Sequence, residues 1–299
     1  MITVIGSINL DLIATVDRLP GRGETVPGSG FETAPGGKGA NQALAAARAG
    51  AQVKMVGSVG KDAFAAEATA LLKAGGVDLS AVFESHASTG TALILVGGDG
   101  ENMIAVVPGS NGSVLPGDVG KAMLAKGDIV LLQHEIPLET VEAALDAAHD
   151  TAAVTVLNTA PFRAEAAGYL HKADYIVANE TEFDLYGEAL KLQGRDRPAR
   201  MADFVKRTGR TIVVTLGGEG VLATTPEHSL HVPALRIKPV DTVGAGDTFC
   251  GYLAAGLAGG LSLEDALKRA AAAGSLACLT PGAQPAIPLA KDVDAALAA

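Results

Sequence analysis

A chain of 299 residues with 48% hydrophobic and 19% charged residues can bury a large core, and this composition excludes an intrinsically disordered protein. The net charge of -10 disfavours nucleic-acid and anionic-membrane partners, because such partners bind surfaces rich in lysine and arginine. The two cysteines, Cys250 and Cys278, lack the spacing of a zinc site or disulfide framework, and no signal peptide is visible, so a cytoplasmic protein is expected.

Six short runs rich in valine and isoleucine alternate with stretches of helical periodicity. These runs are apolar on both faces, as buried parallel strands are. In chain order they are residues 2–8, 51–59, 128–133, 152–158, 174–179 and 211–217. Helical stretches between them include residues 39–50, 62–76, 137–149 and 199–209. The sequence therefore predicts an α/β fold with a doubly wound, mostly parallel sheet and helices on both faces.

Two segments interrupt this alternation. Residues 11–35 contain two strand-like pieces with turns between them, and residues 90–107 have the pattern of a hairpin that turns at GGDGEN. Neither segment can enter a parallel sheet without a crossover, so we expect a small antiparallel β lid beside the main sheet. An apolar face on this lid suggests that it covers a site, forms a dimer contact, or does both. We expect one domain over residues 1–299 with the lid segments inserted.

Two uncharged stretches resemble membrane spans in composition. The stretch between Asp247 and Glu264 is shorter than the roughly 20 apolar residues that a span needs, and the stretch between Arg269 and Lys291 contains three prolines. Both are interpreted as buried helices and the segments that follow them.

Polar residues follow most of the predicted strands. They comprise SINLD at 7–11, Glu135, NTA at 158–160, NETE at 179–182 and TLGGEG at 215–220. Ligands bind beyond the carboxyl ends of the strands in open α/β sheets, so these segments are expected to converge on one site.

A glycine turn, Gly244-Ala245-Gly246, precedes Asp247 and an uncharged helical stretch. Backbone N–H groups at such a turn, together with the start of a helix, suit a transferring phosphoryl group. A carboxylate beside that group can accept the proton of an attacking hydroxyl. A lone Gly-Asp pair before a helix is more often only an N-cap, so the turn by itself leaves both interpretations open.

A second glycine-rich turn, APGGKGANQA at 34–43, also opens a predicted helix and offers bare backbone there. It contributes Lys38 and Asn41. Together with Asn9, Asp11 and Glu135, these amides and carboxylates are of the kind that hold sugar hydroxyls. Each of them alone would more often be a capping or surface residue.

Several other functions are disfavoured by missing motifs. Lys38 is followed by Gly39 rather than Ser or Thr, so the second turn is not a Walker A loop. No GxGxxG fingerprint follows the first strand, which disfavours a nicotinamide-binding domain. The six histidines have no metal-ligand spacing, and no GxSxG elbow is present.

Taken together, the motifs resemble those of the ribokinase (PfkB) family of carbohydrate kinases along nearly the whole chain. DTVGAGDTF at 241–249 is the most specific of them, and GSINLD at 6–11 with GGKGAN at 36–41 and GAQP at 282–285 narrows the resemblance towards the ribose kinases. Further matches are GET at 23–25, STG at 88–90, GEN at 100–102, NETE and TLGGEG.

The resemblance implies ATP-dependent phosphorylation of D-ribose at its 5-hydroxyl, which yields ribose 5-phosphate. Asp247 would be the base, and the amides of Gly244, Ala245 and Gly246 would form the anion hole. Sugar contacts are implied for Asn9, Asp11, Gly37, Lys38, Asn41 and Glu135, and for Ala92 and Ile104 of the lid.

The resemblance also implies sites for ATP, Mg²⁺ and K⁺. Along the nucleotide it places Asn179, Thr215, Gly217, Gly220 and Gly246, with Asn179 and Glu182 near the magnesium. The potassium site is implied, mostly through backbone carbonyls, at Asp241, Val243, Ala277, Thr280, Gly282 and Ala286.

This chain departs from the family pattern at a few positions. Ala286 stands where relatives often have Ser, Ala271 where some have Asn, and Cys250 where Asn is frequent. These departures bear on cation preference and nucleotide affinity rather than on the reaction. In QHE at 133–135, Glu135 matches the family pattern and its neighbour differs from that pattern. The sequence does not indicate the effect of this change.

Alternative functions are a related kinase for deoxyribose, fructose or adenosine, and a non-catalytic sugar sensor. Only 4% of residues are aromatic, which disfavours the aromatic-lined base pocket of a nucleoside kinase. A sensor is expected to lose the base or the anion hole, and both are present. The strand edges of the lid predict a homodimer that pairs lid to lid.

Overall fold

The computed structural model describes residues 1–298, which contain thirteen strands and nine α-helices. The strands are β1 (Ile2–Ile5), β2 (Asn9–Val16), β3 (Gly28–Gly36), β4 (Val53–Gly60), β5 (Asp78–Ser85), β6 (Gly90–Gly97), β7 (Asn102–Val107), β8 (Ile129–Leu132), β9 (Val154–Asn158), β10 (Tyr175–Asn179), β11 (Thr211–Thr215), β12 (Val221–Thr224) and β13 (Ser229–Val232). The helices are α1 (Lys38–Arg48), α2 (Phe64–Ala68), α3 (Ala70–Ala74), α4 (Leu138–Thr151), α5 (Glu180–Ala189), α6 (Arg197–Thr208), α7 (Ala245–Ala258), α8 (Leu263–Ala277) and α9 (Ala290–Ala298).

The main sheet has nine strands in the order β13-β12-β11-β10-β9-β8-β1-β4-β5. Along this order, all neighbouring strands from β11 to β5 pair in parallel. β12 pairs antiparallel with β11 and β13 with β12, so these two strands form an antiparallel edge. The chain starts in the middle at β1, extends to β4 and β5 on one side, and returns to β8 and the remaining strands on the other. This arrangement confirms the predicted doubly wound, mostly parallel sheet.

Each face of the main sheet is covered by its own hydrophobic cluster. Ile2 and Val4 of β1 belong to a cluster with α1, α7 and α8, whereas Ile5 belongs to a cluster with α4, α5 and α6. Alternate residues of a strand point to opposite faces, so a run that is apolar throughout serves both clusters. Burial of each large aliphatic side chain contributes roughly 1.5–3 kcal/mol.

The lid is a separate sheet of four strands in the order β3-β2-β6-β7. Its outer pairs, β2 with β3 and β6 with β7, are antiparallel, and its central pair, β2 with β6, is parallel. β2 leaves the main sheet just after β1, and β6 leaves it just after β5. Because β1 and β5 run in the same direction, the two strands that continue from them also run in the same direction. Its four strands lie within residues 9–36 and 90–107.

Among residues 1–298, none of the helices combines the length and the apolar character needed to cross a bilayer.

Candidate active site

The chain order in the main sheet reverses between β1 and β8, so a crevice forms beyond the carboxyl ends of these strands. Ser7 follows β1 and Glu135 follows β8. The Ser7 hydroxyl donates a 2.6 Å hydrogen bond to Oε2 of Glu135. Two segments far apart in sequence therefore meet at this point, as the positions of the polar residues predicted.

The start of α1 is closed by acceptors from the protein. The Lys38 N–H donates to Oε2 of Glu135 at 3.0 Å, and the Gly39 N–H donates to the Ser7 hydroxyl at 3.2 Å. Gly37 precedes the helix with φ of +88°, and a Cβ there would lie 2.8 Å from the Asn9 nitrogen. The carboxylate and the hydroxyl thus occupy the N–H groups of Lys38 and Gly39, whereas the Gly37 N–H has no acceptor among residues 1–298, so less bare backbone is offered here than expected.

The start of α7 is open. Gly244 caps it with φ of +75°, and the Ala245 N–H reaches the Thr242 carbonyl at a long 3.3 Å. Within residues 1–298, the N–H groups of Gly244, Gly246 and Asp247 have no hydrogen-bond acceptor, and a Cβ on Gly246 would meet open space. Free N–H groups at a helix start form a site for an anion.

Asp247 lies in the first turn of α7 and is only 7% exposed. Asn41 donates to its Oδ2 at 2.9 Å, and Gln42 donates to its Oδ1 at 2.9 Å. Both donors are neutral amides, which hold an ionised carboxylate without supplying a proton. The carboxylate is therefore fixed in place and able to accept a proton.

Asn9 and Asp11 project from β2 towards the same crevice. Asn111 donates to the Asn9 Oδ1 at 2.7 Å, which leaves the Asn9 amide N–H groups for a ligand. Burial, and then the negative charge of Glu135, raise the pKa of Asp11 to about 6. Two carboxylates and an amide thus lie near one another beside the lid.

The two lid residues implied as sugar contacts lie on one face of the lid. Ala92 pairs with Asp11 in register, and Ile104 pairs with Ile94 two positions further along β6. Ala92 is 7% exposed and Ile104 is 55% exposed. Ala92 therefore lies beside the acidic residue, and Ile104 lies further out on the lid.

A cavity of about 220 Å³ adjoins the start of α7. Its lining includes Lys38, Asn179, Glu182, Gly246 and Asp247. The negative charges of Asp247 and then of Glu135 and Glu182 outweigh burial and raise the pKa of Lys38. The structure therefore places the charged side chain of Lys38 with the residues implied for the nucleotide, although the resemblance implied a sugar contact.

A second cavity of about 450 Å³ shares Thr215, Thr242 and Gly246 with the first. Gly217 and Gly220 also line it, together with Phe249 and Ala271. All five residues implied along the nucleotide thus line one or both of the two adjoining cavities.

Asn179 and Glu182 form a capping box at the start of α5. The Glu182 N–H donates to the Asn179 Oδ1 at 2.8 Å, and the Asn179 N–H donates to the Glu182 Oε2 at 3.0 Å. Burial raises the pKa of Glu182. The box holds one carboxylate oxygen of Glu182, and the residue lines the cavity.

The residues implied for potassium lie on two segments that Asp241 joins. Its Oδ1 accepts from the Val243 N–H at 3.0 Å, and its Oδ2 accepts from the Gly282 N–H at 2.8 Å. Ala277 ends α8, and Thr280 and Ala286 follow on the same segment as Gly282. A Cβ on Gly244 would lie 2.9 Å from Ala283, so this segment also supports the open start of α7.

Residues 1–290 match the family described as pfkB family carbohydrate kinase. The chain belongs to this family. The ribokinase of Bacillus subtilis (strain 168) is 39% identical over 302 residues that cover 98% of each chain. The deoxyribokinase of Salmonella typhi is 35% identical over 292 residues, 96% of this chain and 95% of the relative. The family resemblance implied by the motifs is confirmed.

A solved structure of Arabidopsis thaliana ribokinase complexed with ribose and ATP has the same fold as this chain. The two superpose with a TM-score of 0.86 at 29% identity, over 99% of this chain and 98% of that chain.

Four buried amides of the site, Gln42, Asn111, Gln133 and Asn158, were not singled out from the sequence. Gln42 lies in the second glycine-rich turn, Gln133 precedes His134 and Glu135, and Asn158 begins NTA. Each lies within or beside a quoted motif except Asn111, which has no local signal.

Proposed function

We propose that this protein is an ATP-dependent kinase that phosphorylates the 5-hydroxyl of D-ribose. The observation that carries the proposal is the open start of α7, where free N–H groups lie directly before the buried Asp247 carboxylate. Two adjoining cavities share Gly246 at this point, and Lys38, whose N–H donates to Glu135, lines one of them together with Asp247. In this proposal the base and the anion site lie between the nucleotide and the sugar.

In this reaction Asp247 accepts the proton of the 5-hydroxyl while the hydroxyl oxygen bonds to the γ-phosphorus of ATP. The bond from that phosphorus to the bridging oxygen breaks, and ADP leaves with the electron pair. The N–H groups of Gly244, Gly246 and Asp247 and the Lys38 ammonium face the negative charge that this transfer concentrates. Their role is to position and stabilise the transferring group.

The chain's oxygen donors fit Mg²⁺ and K⁺. Glu182 and Asn179 would hold Mg²⁺, which needs only one or two protein ligands beside the phosphate oxygens. Residues 1–298 contain no cluster of three or more His, Cys, Asp or Glu suited to a metal. Bound Mg²⁺ would neutralise phosphate charge.

The Asp241 carboxylate and the carbonyls of Val243, Ala277, Thr280, Gly282 and Ala286 are hard donors that suit K⁺. Bound K⁺ would add positive charge beside the anion site.

The lid covers the sugar side of the site, so we also propose that it excludes water when sugar binds. ATP hydrolysis without sugar is then slow. Rapid release of phosphate from ATP without any sugar would contradict this role for the lid.

The deciding experiment measures ADP release with D-ribose, 2-deoxyribose, fructose and adenosine, each with Mg-ATP and with either K⁺ or Na⁺. We expect preference for D-ribose and faster turnover with K⁺. Deoxyribose is the second candidate, because a deoxyribokinase is 35% identical to this chain. Turnover of deoxyribose alone would mean that the protein is a deoxyribose kinase of the same family. No turnover of any of the four substrates would favour the sugar sensor.

A further inference from the structure

The hydrogen bonds around Gln42 form a buried, directional network behind the Asp247 carboxylate. Gln42 lies one position after Asn41 on α1, and both Gln42 and Gln133 are 0% exposed. The Gln42 Nε2 donates to the Asp247 Oδ1 at 2.9 Å and to the Asn158 Oδ1 at 3.1 Å. Its Oε1 accepts from the Gln133 Nε2 at 2.7 Å. All hydrogen-bonding groups of this amide are therefore in use.

The neighbours of Gln42 determine which way its amide points. An ionised Asp247 carboxylate can only accept hydrogen bonds, so the Gln42 nitrogen must face it, and the Gln42 oxygen is left to accept from Gln133. Asn158 accepts the second N–H, and its own Nδ2 donates to the Val177 carbonyl at 3.3 Å. Rotating the Gln42 amide by 180° would place its oxygen against the Asp247 carboxylate and its N–H groups against the Gln133 N–H groups. Both contacts would be repulsive.

We infer that Gln42 is a positioning residue for Asp247, and that Gln133 and Asn158 fix the orientation of its amide. This inference deepens the proposed function and rests on it. A base must lie within hydrogen-bond reach of the proton that it takes, and the Gln42 N–H keeps one carboxylate oxygen at a fixed place. The N–H also favours the ionised carboxylate, since a hydrogen bond to a charged form stabilises that form.

Other titratable groups near Asp247 come from three elements: Lys38 from α1, Glu182 from α5 and Cys250 from α7. Burial raises the pKa of the Cys250 thiol, so the thiol is neutral at physiological pH. None of these three side chains hydrogen-bonds to Gln42. Substitutions of Gln42 therefore change a contact of Asp247 without directly changing a contact of Lys38, Glu182 or Cys250.

The test compares Gln42→Glu and Gln42→Met with the wild type in kcat/KM for the sugar between pH 4 and 9. Because the pKa of Asp11 is about 6, an acid limb counts as that of Asp247 only if Asp11→Asn leaves it in place. In Gln42→Glu a second carboxyl faces Asp247, so the acid limb of the profile should move to higher pH by about one unit or more. At pH 7 kcat/KM should fall by about tenfold or more, while KM for ATP changes little. In Gln42→Met the lost donor should move the acid limb in the same direction by a smaller amount.

Two controls separate this role from a structural one. Thr208→Val removes a part-buried 2.8 Å hydrogen bond to the Phe204 carbonyl at the C-terminal end of α6, and should lower stability without moving the acid limb. Gln52→Glu makes the same chemical change at an exposed glutamine and should change neither the stability nor the acid limb. Circular dichroism checks that each variant is folded. If Gln42→Glu is not folded, the test relies on Gln42→Met.

A second measurement needs no substrate. The ¹³C signal of the Asp247 carboxyl, assigned by its absence in Asp247→Asn, is titrated in the wild type and in Gln42→Met, and its midpoint should rise in the variant. An acid limb and a midpoint that both stay at the wild-type pH overturn the inference. If the midpoint rises but the wild type phosphorylates no sugar, the proposed function fails and the positioning of Asp247 stands.

Discussion

Replacing Asp247 with asparagine tests the base at the scale of a single residue. Asparagine keeps the size of the side chain and cannot take a proton, so kcat for ribose should fall by about 10²–10⁴-fold, the usual contribution of a general base. KM should change less, because the crevice beneath the lid is intact. Coupled ADP release measures both parameters. Asp146→Asn, at a side chain that is 57% exposed, is the matched control, and equal turnover by both variants would remove Asp247 from the reaction.

Asp11 gives a pH dependence of stability whose sign follows from its raised pKa. The pKa of about 6 in the folded protein exceeds the ordinary 3.8, so folding favours the protonated carboxyl. The stability that this preference contributes is complete below about pH 3.8 and is lost as the pH rises through 6. Asp11→Asn should therefore stabilise the sugar-free protein at pH 8 by roughly 2 kcal/mol, and by less at pH 5.

Urea unfolding at pH 5 and pH 8 measures this difference, and sugar affinity should fall in the same variant because a carboxylate facing the crevice is lost. Asp78→Asn provides the opposite sign. Hydrogen bonds from Ser80 lower the pKa of Asp78, so its loss should destabilise the protein to the same extent at both pH values. A gain for Asp11→Asn that is equal at pH 5 and pH 8 would contradict the raised pKa.

Sequence reasoning at the residue scale reached the charged residues, the glycines, Asn9 and Asn41, but not the amides behind them such as Gln42. Asp11 and Glu135 stand out because they follow buried strands, and Asp247 because it follows a glycine turn at the start of a helix. A glutamine such as Gln42 within an apolar helix is equally compatible with a cap, a core hydrogen bond or a surface position. Its role depends on Gln133, 91 residues away, and such a partner follows only from the folded chain.

At the scale of elements, the open start of α7 depends on the conformation of Gly244. Its φ of +75° disfavours any other residue, and an added Cβ would lie 2.9 Å from Ala283. Gly244→Ala should therefore shift the anion site and lower kcat by about tenfold or more, with a loss of stability of about 1–3 kcal/mol.

Gly260, beyond the other end of α7, is the matched control. Its φ is +77°, but an added Cβ would meet nothing within 4 Å. Gly260→Ala should lower stability through the backbone conformation and leave kcat unchanged. If both alanine variants lose activity equally, the effect is one of stability and Gly244 has no special role at the anion site.

The strands that pack on both faces were predictable because their residues are apolar throughout. The edge strands were not. β5 carries Asp78, Ser80, Glu84 and Ser85, and this polar composition matches its exposure at the edge of the sheet. The parallel pairing of β2 with β6 also lay beyond sequence reasoning, because it follows from the direction in which β1 and β5 leave the main sheet.

At the scale of the whole molecule, the lid is the part that the main core supports least. Both main hydrophobic clusters lie on the faces of the nine-stranded sheet, whereas exposed apolar side chains concentrate on the lid. Phe31, Leu93, Met103 and Val107 share one face of the lid, and Ile104 and Val106 lie on the opposite face with Asp11. β3 and β7 also present unpaired edges. A surface of this kind is typical of one that a second protein covers.

The proposed homodimer pairs two such lids, and it can be tested at a matched pair of methionines. Met103 on the lid is 50% exposed, and Met123 outside the lid is 71% exposed. Met103→Glu places a charge in the apolar surface and should shift the mass in light scattering from twice 30.0 kDa towards that of one chain, whereas Met123→Glu should leave it unchanged. A wild-type protein that is monomeric at working concentrations would contradict the dimer.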